Sequence, residues 1–447
     1  MNINPYFIIV GSKDKSENLV LEYTINLMNM KSNCVMCNSL HTKKLLNLGY
    51  QPNGNELLKY KYSDTRSTEL IYFFCFSCFS IFQNNTFSDD EMYLDHPYIT
   101  SHNKQYVQEL KNFAELVSHE INLVPGDLVL DIGCNDGSLL KIFKELDFSV
   151  LGVDPSETAY EYSKKSEIPV LKEFWNSGLA SKLIKQEVTP KLIVSTASFY
   201  HMRDIFDWMT GIAIIMKTDS YFAAQFVYSV DVMINNSFDQ FYHEHTFLHS
   251  IKSINELCKK LNLEIIFLGQ TTSQGGSKIV IIRKKRKEYE INTQLLEALD
   301  FESNFFIQKR INNFSKSFKK LRKIWGLIAK VILDNNQKLI GIGASLRGIS
   351  FINFLDLNPL IFDCIFEVNN EKIGRWTPGK KIEIVSEQVD LRKADYYLLL
   401  AWTQKDIVYD KFENLIKEGK TFIIPVPKFQ IIGPDPLNLS NFEGMFK

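Results

Sequence analysis

The stretch DLVLDIGCNDGSLLKIFKEL, residues 127–146, decides how this chain folds. Val129, Leu130 and Ile132 are the apolar positions of a short buried strand. Asp131, Gly133, Asn135, Asp136 and Gly137 follow as a turn, and Leu139, Leu140, Ile142 and Phe143 then recur at helical spacing. Strand, glycine turn and helix in that order open a doubly wound α/β fold. The turn is not G-x-G-x-x-G, because an acid precedes the first glycine and the second comes four residues later. A pyrophosphate seeks bare amides at a positive helix end, and Asp131 and Asp136 would repel it. A ligand carrying an ammonium and a sulfonium gains from the same acids, and the glycines let it lie against the backbone. S-adenosylmethionine is such a ligand. Further on, FSVLGVDPSETA (residues 148–159) ends a second strand at Asp154, where a carboxylate can accept both ribose hydroxyls. The expected cofactor contacts are Asp131, Gly133, Asn135, Asp136, Gly137 and Asp154. An NAD-binding turn is the alternative, with the wrong charge and spacing.

Two later segments extend the same sheet. KLIVSTASFYHMRD (residues 191–204) is apolar to Thr196 and then polar, which puts His201 and Asp204 beyond a strand's C-terminal end, where such sheets bind ligands. SYFAAQFVYS (residues 220–229) is another strand, and its Gln225 points to the same region. The helical pattern DIFDWMTGIAIIMK joins the two. The strand KIVIIRKK, after Gly275, Gly276 and Ser277, is expected to close this sheet.

The rest of the chain sets limits. Its 447 residues, 45% of them hydrophobic, are too many for one core and suggest two or three domains. A net charge of −1 gives no sign of nucleic acid or an acidic membrane as partner. No run of eighteen apolar residues is present, so no membrane-spanning helix is expected. The N-terminus has neither a basic region nor a small-residue cleavage site, and the expected setting is a cytoplasmic monomer.

Seven cysteines include two Cys-x-x-Cys pairs, Cys34/Cys37 and Cys75/Cys78. Two such turns face to face offer four thiolates in a tetrahedron, which suits Zn²⁺ in a reducing compartment. Four thiolates close the coordination shell, so this zinc would be structural, holding a small N-terminal lobe with LIYFFCFSCFSIF as its packing strands.

FYHEH, residues 241–245, gathers Tyr242, His243, Glu244 and His245 in a chain with eight histidines. Methylating a hydroxyl needs one base. Methylating a carbon beside a ketone needs a base to remove its proton and a donor to stabilise the enolate oxygen. Histidine titrates near neutrality, tyrosine or a second histidine can donate, and glutamate can orient an imidazole. As a strand, FYHEH would send Tyr242 and Glu244 to one face and both histidines to the other. An irregular loop lifts that restriction.

Residues 291–336 have the pattern of one long amphipathic helix or two. KLIGIGASLRGISFINFL (residues 338–355) then repeats strand, glycine turn and helix, without acids and with Arg347. Such a turn suits a phosphate group, whether in NAD or in another nucleotide diphosphate. A merely structural α/β layer is the third possibility.

These motifs in this order resemble the sugar C-methyltransferases, which methylate a ring carbon of a nucleotide-linked keto-sugar. The four-cysteine lobe, DIGCNDG, YHEH and the GGS strand take part. So do GIGASLRG (341–348), GRWTPGKKIEI (374–384), YYLLLAWTQKDI (396–407) and FIIPVPKFQII (422–432), and the likeness spans nearly all the chain after its first thirty residues. The resemblance implies a zinc-binding lobe over residues 1–95 and a Rossmann-like methyltransferase domain over 96–290. A connecting helix and second Rossmann-like α/β domain, binding the sugar nucleotide, would occupy 291–447. It implies catalytic roles for Tyr242, Glu244, His245, His201 and Tyr98. His245 would be the base, Tyr242 and His201 would serve substrate oxygens and Glu244 would orient, with base and stabiliser interchangeable between His245 and Tyr242. Gly343, Ser345 and Arg347 would contact the nucleotide. Three positions depart from the family pattern. Tyr98 is followed by Ile99, Thr100 and Ser101 rather than directly by serines; Arg347 replaces a more usual lysine; Cys134 is unusual in its turn. An O- or N-methyltransferase on a related sugar, or a non-enzymatic zinc and nucleotide module, are the alternatives.

Overall fold

The computed structural model describes residues 33–84, 87–286, 292–386, 394–402, 412–426 and 428–446. The N-terminal residues read as leaderless, and the end of the 396–407 motif, lie outside them.

Three sheets follow one another along the chain. The first is antiparallel: β1 (Thr42–Pro52), β2 (Ser67–Cys75) and β3 (Ile81–Gln83). The apolar run in β2 is buried along its C-terminal two thirds, with Tyr72, Phe74 and Cys75 wholly enclosed. The second sheet contains β4 (Leu128–Ile132), β5 (Ser149–Val153), β6 (Val170–Leu171), β7 (Leu192–Thr196) and β8 (Tyr221–Val227), all parallel. Between β8 and the rest of that sheet comes β9 (Phe247–Leu248), which leaves the central sheet and pairs instead with β3. The central sheet then finishes with the antiparallel hairpin β10 (Leu263–Thr271) and β11 (Ser277–Lys284), in the order β10-β11-β8-β7-β4-β5-β6. The strand expected to close the sheet, β11, is therefore interior, and β10 is the edge. Arg283, near the end of β11, is mostly buried with its Nε 2.7 Å from Glu264 Oε1.

The expected connecting segment is two helices, Thr293–Phe305 and Gln308–Asp334. The longer one buries Phe314, Phe318, Leu321 and Trp325 at helical spacing. Its Phe314 ring packs 4.8 Å from Phe238 and 5.8 Å from Phe241, and its Ser315 hydroxyl donates to the Leu45 carbonyl. It thus packs on both β1 and the segment leading into FYHEH. The third sheet has β12 (Leu339–Ile342), β13 (Phe362–Glu367), β14 (Ile384–Ser386), β15 (Tyr396–Leu399), β16 (Thr421–Ile424) and β17 (Gln430–Ile432), in the order β14-β13-β12-β15-β16-β17. All its pairings are parallel except β16 with β17. No helix among the described residues is long and apolar enough to cross a membrane.

Glu302, on the first connecting helix, is fully buried. Its carboxylate accepts from the Ile251 and Lys252 amides at 2.6 and 2.9 Å and from the Tyr228 hydroxyl at 2.9 Å. Those amides begin the helix Ile251–Lys260, whose positive end favours an anion. Removing the carboxylate leaves three donors unpaired, the Ile251 amide and Tyr228 hydroxyl buried and the Lys252 amide partly so. Glu302→Ala is expected to cost about 3 kcal/mol, read as a lower urea midpoint for the transition that reports the central sheet.

Candidate active site

The turn after β4 is held open by its glycines. Gly133 has φ +75°, and a Cβ there would meet the Ser198 Oγ at 2.4 Å, so no other residue fits without displacement. The Asn135 amide donates to Asp154 at 2.8 Å and the Ser156 amide at 2.9 Å, which fixes the Asp154 carboxylate at the end of β5. Asp136 accepts from the Ser138 amide and hydroxyl on one oxygen and from the Ser101 amide on the other. The Asn135 side chain binds the Thr100 amide and the Tyr98 carbonyl. The segment carrying Tyr98 is thereby strapped over the turn, with the Tyr98 ring half-exposed.

Three carboxylates therefore meet at the ends of β4 and β5. Burial pushes the Asp131 carboxyl well above the usual carboxylate range, and Asp154 adds to it. Burial also raises Asp154, against the amides that stabilise its charge. Asp131 Oδ1 is buried with no hydrogen-bond partner. An orphaned acid in a crowded anionic turn fits a ligand that brings positive charge and N–H donors, as S-adenosylmethionine does.

FYHEH is an irregular loop. The His245 amide donates to the Tyr242 carbonyl at 3.0 Å, closing a turn that brings residues three apart together. His245 Nδ1 lies 2.9 Å from the Gln240 carbonyl, which can only accept, so Nδ1 carries the proton and Nε2 is left bare. That bare nitrogen accepts from the Tyr242 hydroxyl at 2.5 Å. Burial pulls His245 down to about 3, opposed by the Gln240 carbonyl, so its ring is neutral at ordinary pH. Burial, then the Glu244 charge, pushes Tyr242 well above its usual value. The His201 ring stacks on His245, centroids 5.5 Å apart. Burial and then His245 bring it down to about 3, and its Nε2 is buried and unpartnered. His243 points elsewhere: its Nε2 is 3.1 Å from Thr68 Oγ1.

The other two lobes hold this loop from outside. The Tyr72 hydroxyl of β2 faces the Tyr242 and His245 carbonyls at 2.7 and 2.8 Å, and Gln83 of β3 donates to the His243 carbonyl. From the C-terminal side, Arg347 forms an ion pair with Asp239, one residue before Gln240, and Trp402 Nε1 donates to the same carboxylate at 3.2 Å. Arg347, expected at a phosphate, pairs here with Asp239 and keeps its Nε buried without a partner. Its guanidinium turns toward the central domain, where a buried cation needs a carboxylate. Ser345 caps the helix Leu346–Phe354 and donates to the Leu400 carbonyl, and a Cβ on Gly343 would strike Ala401 at 2.6 Å, so both shape their own turn. A groove opens nearby, between Asn55, Leu57 and Pro97 on one side and Ala344, Lys372 and Arg375 on the other. Its two basic residues lie inside the 374–384 motif or just before it, and only the fold brings them to the glycine turn.

The four paired cysteines form one cluster, their sulfurs all within 4.8 Å of one another. Cys34 and Cys78 are 3.5 Å apart, and Cys37 and Cys75 are 3.6 Å apart. Tetrahedral zinc with Zn–S of about 2.3 Å sets sulfurs about 3.8 Å apart, so the cluster is compatible with a zinc ion.

Residues 102–268 match the family described as a methyltransferase domain, and residues 272–427 match the C-methyltransferase C-terminal domain. C-methyltransferase NovU of Streptomyces niveus is 24% identical over 365 residues, covering 81% of this chain and 87% of NovU. Among solved structures, magnesium protoporphyrin IX methyltransferase from Synechocystis PCC 6803 with bound SAM is 18% identical. The match covers 40% of this chain and 80% of that one, at a TM-score of 0.31. An S-adenosylmethionine-dependent methyltransferase from Anabaena variabilis ATCC 29413 is 15% identical over 40% and 85% of the two chains, at 0.33. Partial overlaps of this kind carry no argument by themselves. Two adjoining domain matches and a C-methyltransferase relative that aligns along most of both chains support an S-adenosylmethionine-dependent methyltransferase of the C-methyltransferase kind.

Proposed function

We propose that the enzyme methylates a ring carbon of a nucleotide-linked keto-deoxysugar through an enolate. The observation that carries this reading is the Tyr242–His245 pair, a hydroxyl donating to a neutral imidazole whose other nitrogen is fixed by the Gln240 carbonyl. Tyr242 oxygen keeps lone pairs for a substrate proton while its own proton moves to His245 Nε2, so the pair acts as one base. His201 Nε2, unpartnered beside it, would serve the enolate oxygen. Asp131, Gly133, Asn135, Asp136, Gly137 and Asp154 would hold S-adenosylmethionine, which when bound supplies an electrophilic methyl group. Cys34, Cys37, Cys75 and Cys78 would hold a structural Zn²⁺ with no open position for chemistry.

The groove beside the second glycine turn supports the nucleotide assignment. Lys372 and Arg375 outnumber Glu371 and give a net positive charge to the lining of a concave site whose other side holds Asn55 and Pro97. In this reading Gly343 and Ser345 shape the wall of the site, and Arg347 anchors it to the loop before FYHEH. The test is turnover of a panel of keto-sugar nucleotides with methyl-¹³C donor. A product methyl coupled to a ring carbon supports the proposal. A methyl on oxygen would replace it with an O-methyltransferase, and no turnover of any member would overturn the sugar assignment.

A further inference from the structure

Glu244 is 4% exposed, and its partners come from outside its own loop. Its Oε1 lies 3.0 Å from His96 Nε2 and accepts from the Asn55 side-chain amide. Asn55 Nδ2 is also 3.3 Å from His96 Nε2. His96 follows the helix Asp89–Tyr93, and Asn55 sits in the turn after β1, so three segments far apart in sequence converge on one carboxylate. The backbone joins in: the Ser156 hydroxyl donates to the His96 carbonyl at 3.3 Å, two residues beyond Asp154.

A buried carboxylate is costly unless a cation or several donors meet it. Burial works to raise Glu244, but the charge and hydrogen bond of His96 outweigh it and bring Glu244 below its usual range. Burial works to lower His96, and the Glu244 charge, its hydrogen bond and Asp154 outweigh that in turn. The charged and titratable groups facing His96 are Glu244 from the loop, Asp154 from the end of β5 and His201 from the turn after β7, with the Tyr93 and Tyr98 rings beside it. His201 is neutral there, so His96 meets two carboxylates and no competing cation.

We propose that His96 is a positioning residue for the reaction: a donor to Glu244 and a counter-cation shared with Asp154, it fixes the loop carboxylate, while Asn55 locks the pair from the wall of the groove. The inference rests on the catalytic reading of the Tyr242–His245 loop. His96 touches neither the Tyr242–His245 pair nor the four-sulfur cluster, and acts through Glu244.

Ring-¹³C histidine labelling of the full chain tests this directly. The His96 signal, identified by its loss in His96→Gln or His96→Asn, is expected to titrate above the ordinary histidine value of about 6.5. In Glu244→Gln it is expected to fall by about one pH unit or more. A wild-type His96 that titrates at or below the ordinary value overturns the proposal even if Glu244→Gln does not fold, and so does a signal unmoved in a folded Glu244→Gln. With a keto-sugar nucleotide that wild type turns over, His96→Gln should lower kcat about 100-fold and leave KM within about threefold. Because the raised histidine loses its proton as pH rises, wild-type kcat should decline on the alkaline side, and that decline should vanish in His96→Gln. An equal change in KM and kcat with an unchanged pH profile would overturn the positioning role. If no keto-sugar is turned over, the proposed function fails while the titration still decides the role of His96.

Discussion

Replacing His245 by glutamine is expected to lower turnover by about a thousandfold, with S-adenosylmethionine affinity by calorimetry within about twofold of wild type. The cofactor turn and the loop are separate constructions, so losing the base should leave the carboxylates of the turn in place. Glutamine fills similar space and can still donate to the Gln240 carbonyl, but it has no basic nitrogen for the Tyr242 proton. Tyr242→Phe should cost a similar factor, because His245 Nε2 is reached through that hydroxyl at 2.5 Å. The double variant should then be little worse than either single one, since two groups acting as one base do not add. Additive losses would mean that the two residues act separately.

Removal of zinc is expected to have the other large effect. The protein should carry about one zinc per chain, and Cys34→Ser or a strong chelator should abolish both the metal and at least about 99% of turnover. Structural zinc in small peptides is worth about 10–16 kcal/mol of folding free energy, far more than a three-stranded lobe of this size supplies unaided. The loss would travel to the chemistry by short routes. The Ser250 hydroxyl donates to the Cys78 carbonyl, β3 pairs with β9 directly after the catalytic loop, and Tyr72 holds the carbonyls of Tyr242 and His245. Protein purified without chelator that lacks zinc and turns over normally, with Cys34→Ser folding as wild type, would refute both the metal and its coupling.

Much of this was legible in the sequence where the signal is local. The first glycine turn declares itself because strand, turn and helix are contiguous and because Asp131 and Asp136 give it a charge that a pyrophosphate would not choose. The cysteine pairs are legible because each knuckle needs only four residues. The connecting helices are legible from periodicity, down to the uncertainty between one and two, which the break at Phe306 and Ile307 resolves. What escapes is made by distant segments. A two-residue strand such as β9 has no pattern of its own, and its departure to the N-terminal sheet exists only as tertiary pairing. β11 reads as an edge because β10, half-exposed along much of its length, gives a weaker apolar signal. Glu302 reads as a solvated charge on an amphipathic helix until the amides of Ile251 and Lys252 meet it. His96, Asn55, Lys372 and Arg375 lie outside regular elements and acquire meaning only from what faces them. The Arg347 ion pair is of the same kind: Asp239 lies in a segment with no motif of its own, and only the fold brings the two together.

The most direct trial of the central claim, that the Tyr242–His245 pair makes a carbanion equivalent, is wash-in of solvent deuterium. A keto-sugar nucleotide that the enzyme methylates would be incubated in heavy water with S-adenosylhomocysteine in place of the methyl donor, and its ring positions followed by proton resonance. The account predicts exchange at the carbon beside the ketone that receives the methyl group, slowed by about a thousandfold in His245→Gln. Methylation of that carbon with no enzyme-dependent exchange, or exchange unchanged in His245→Gln, would contradict it.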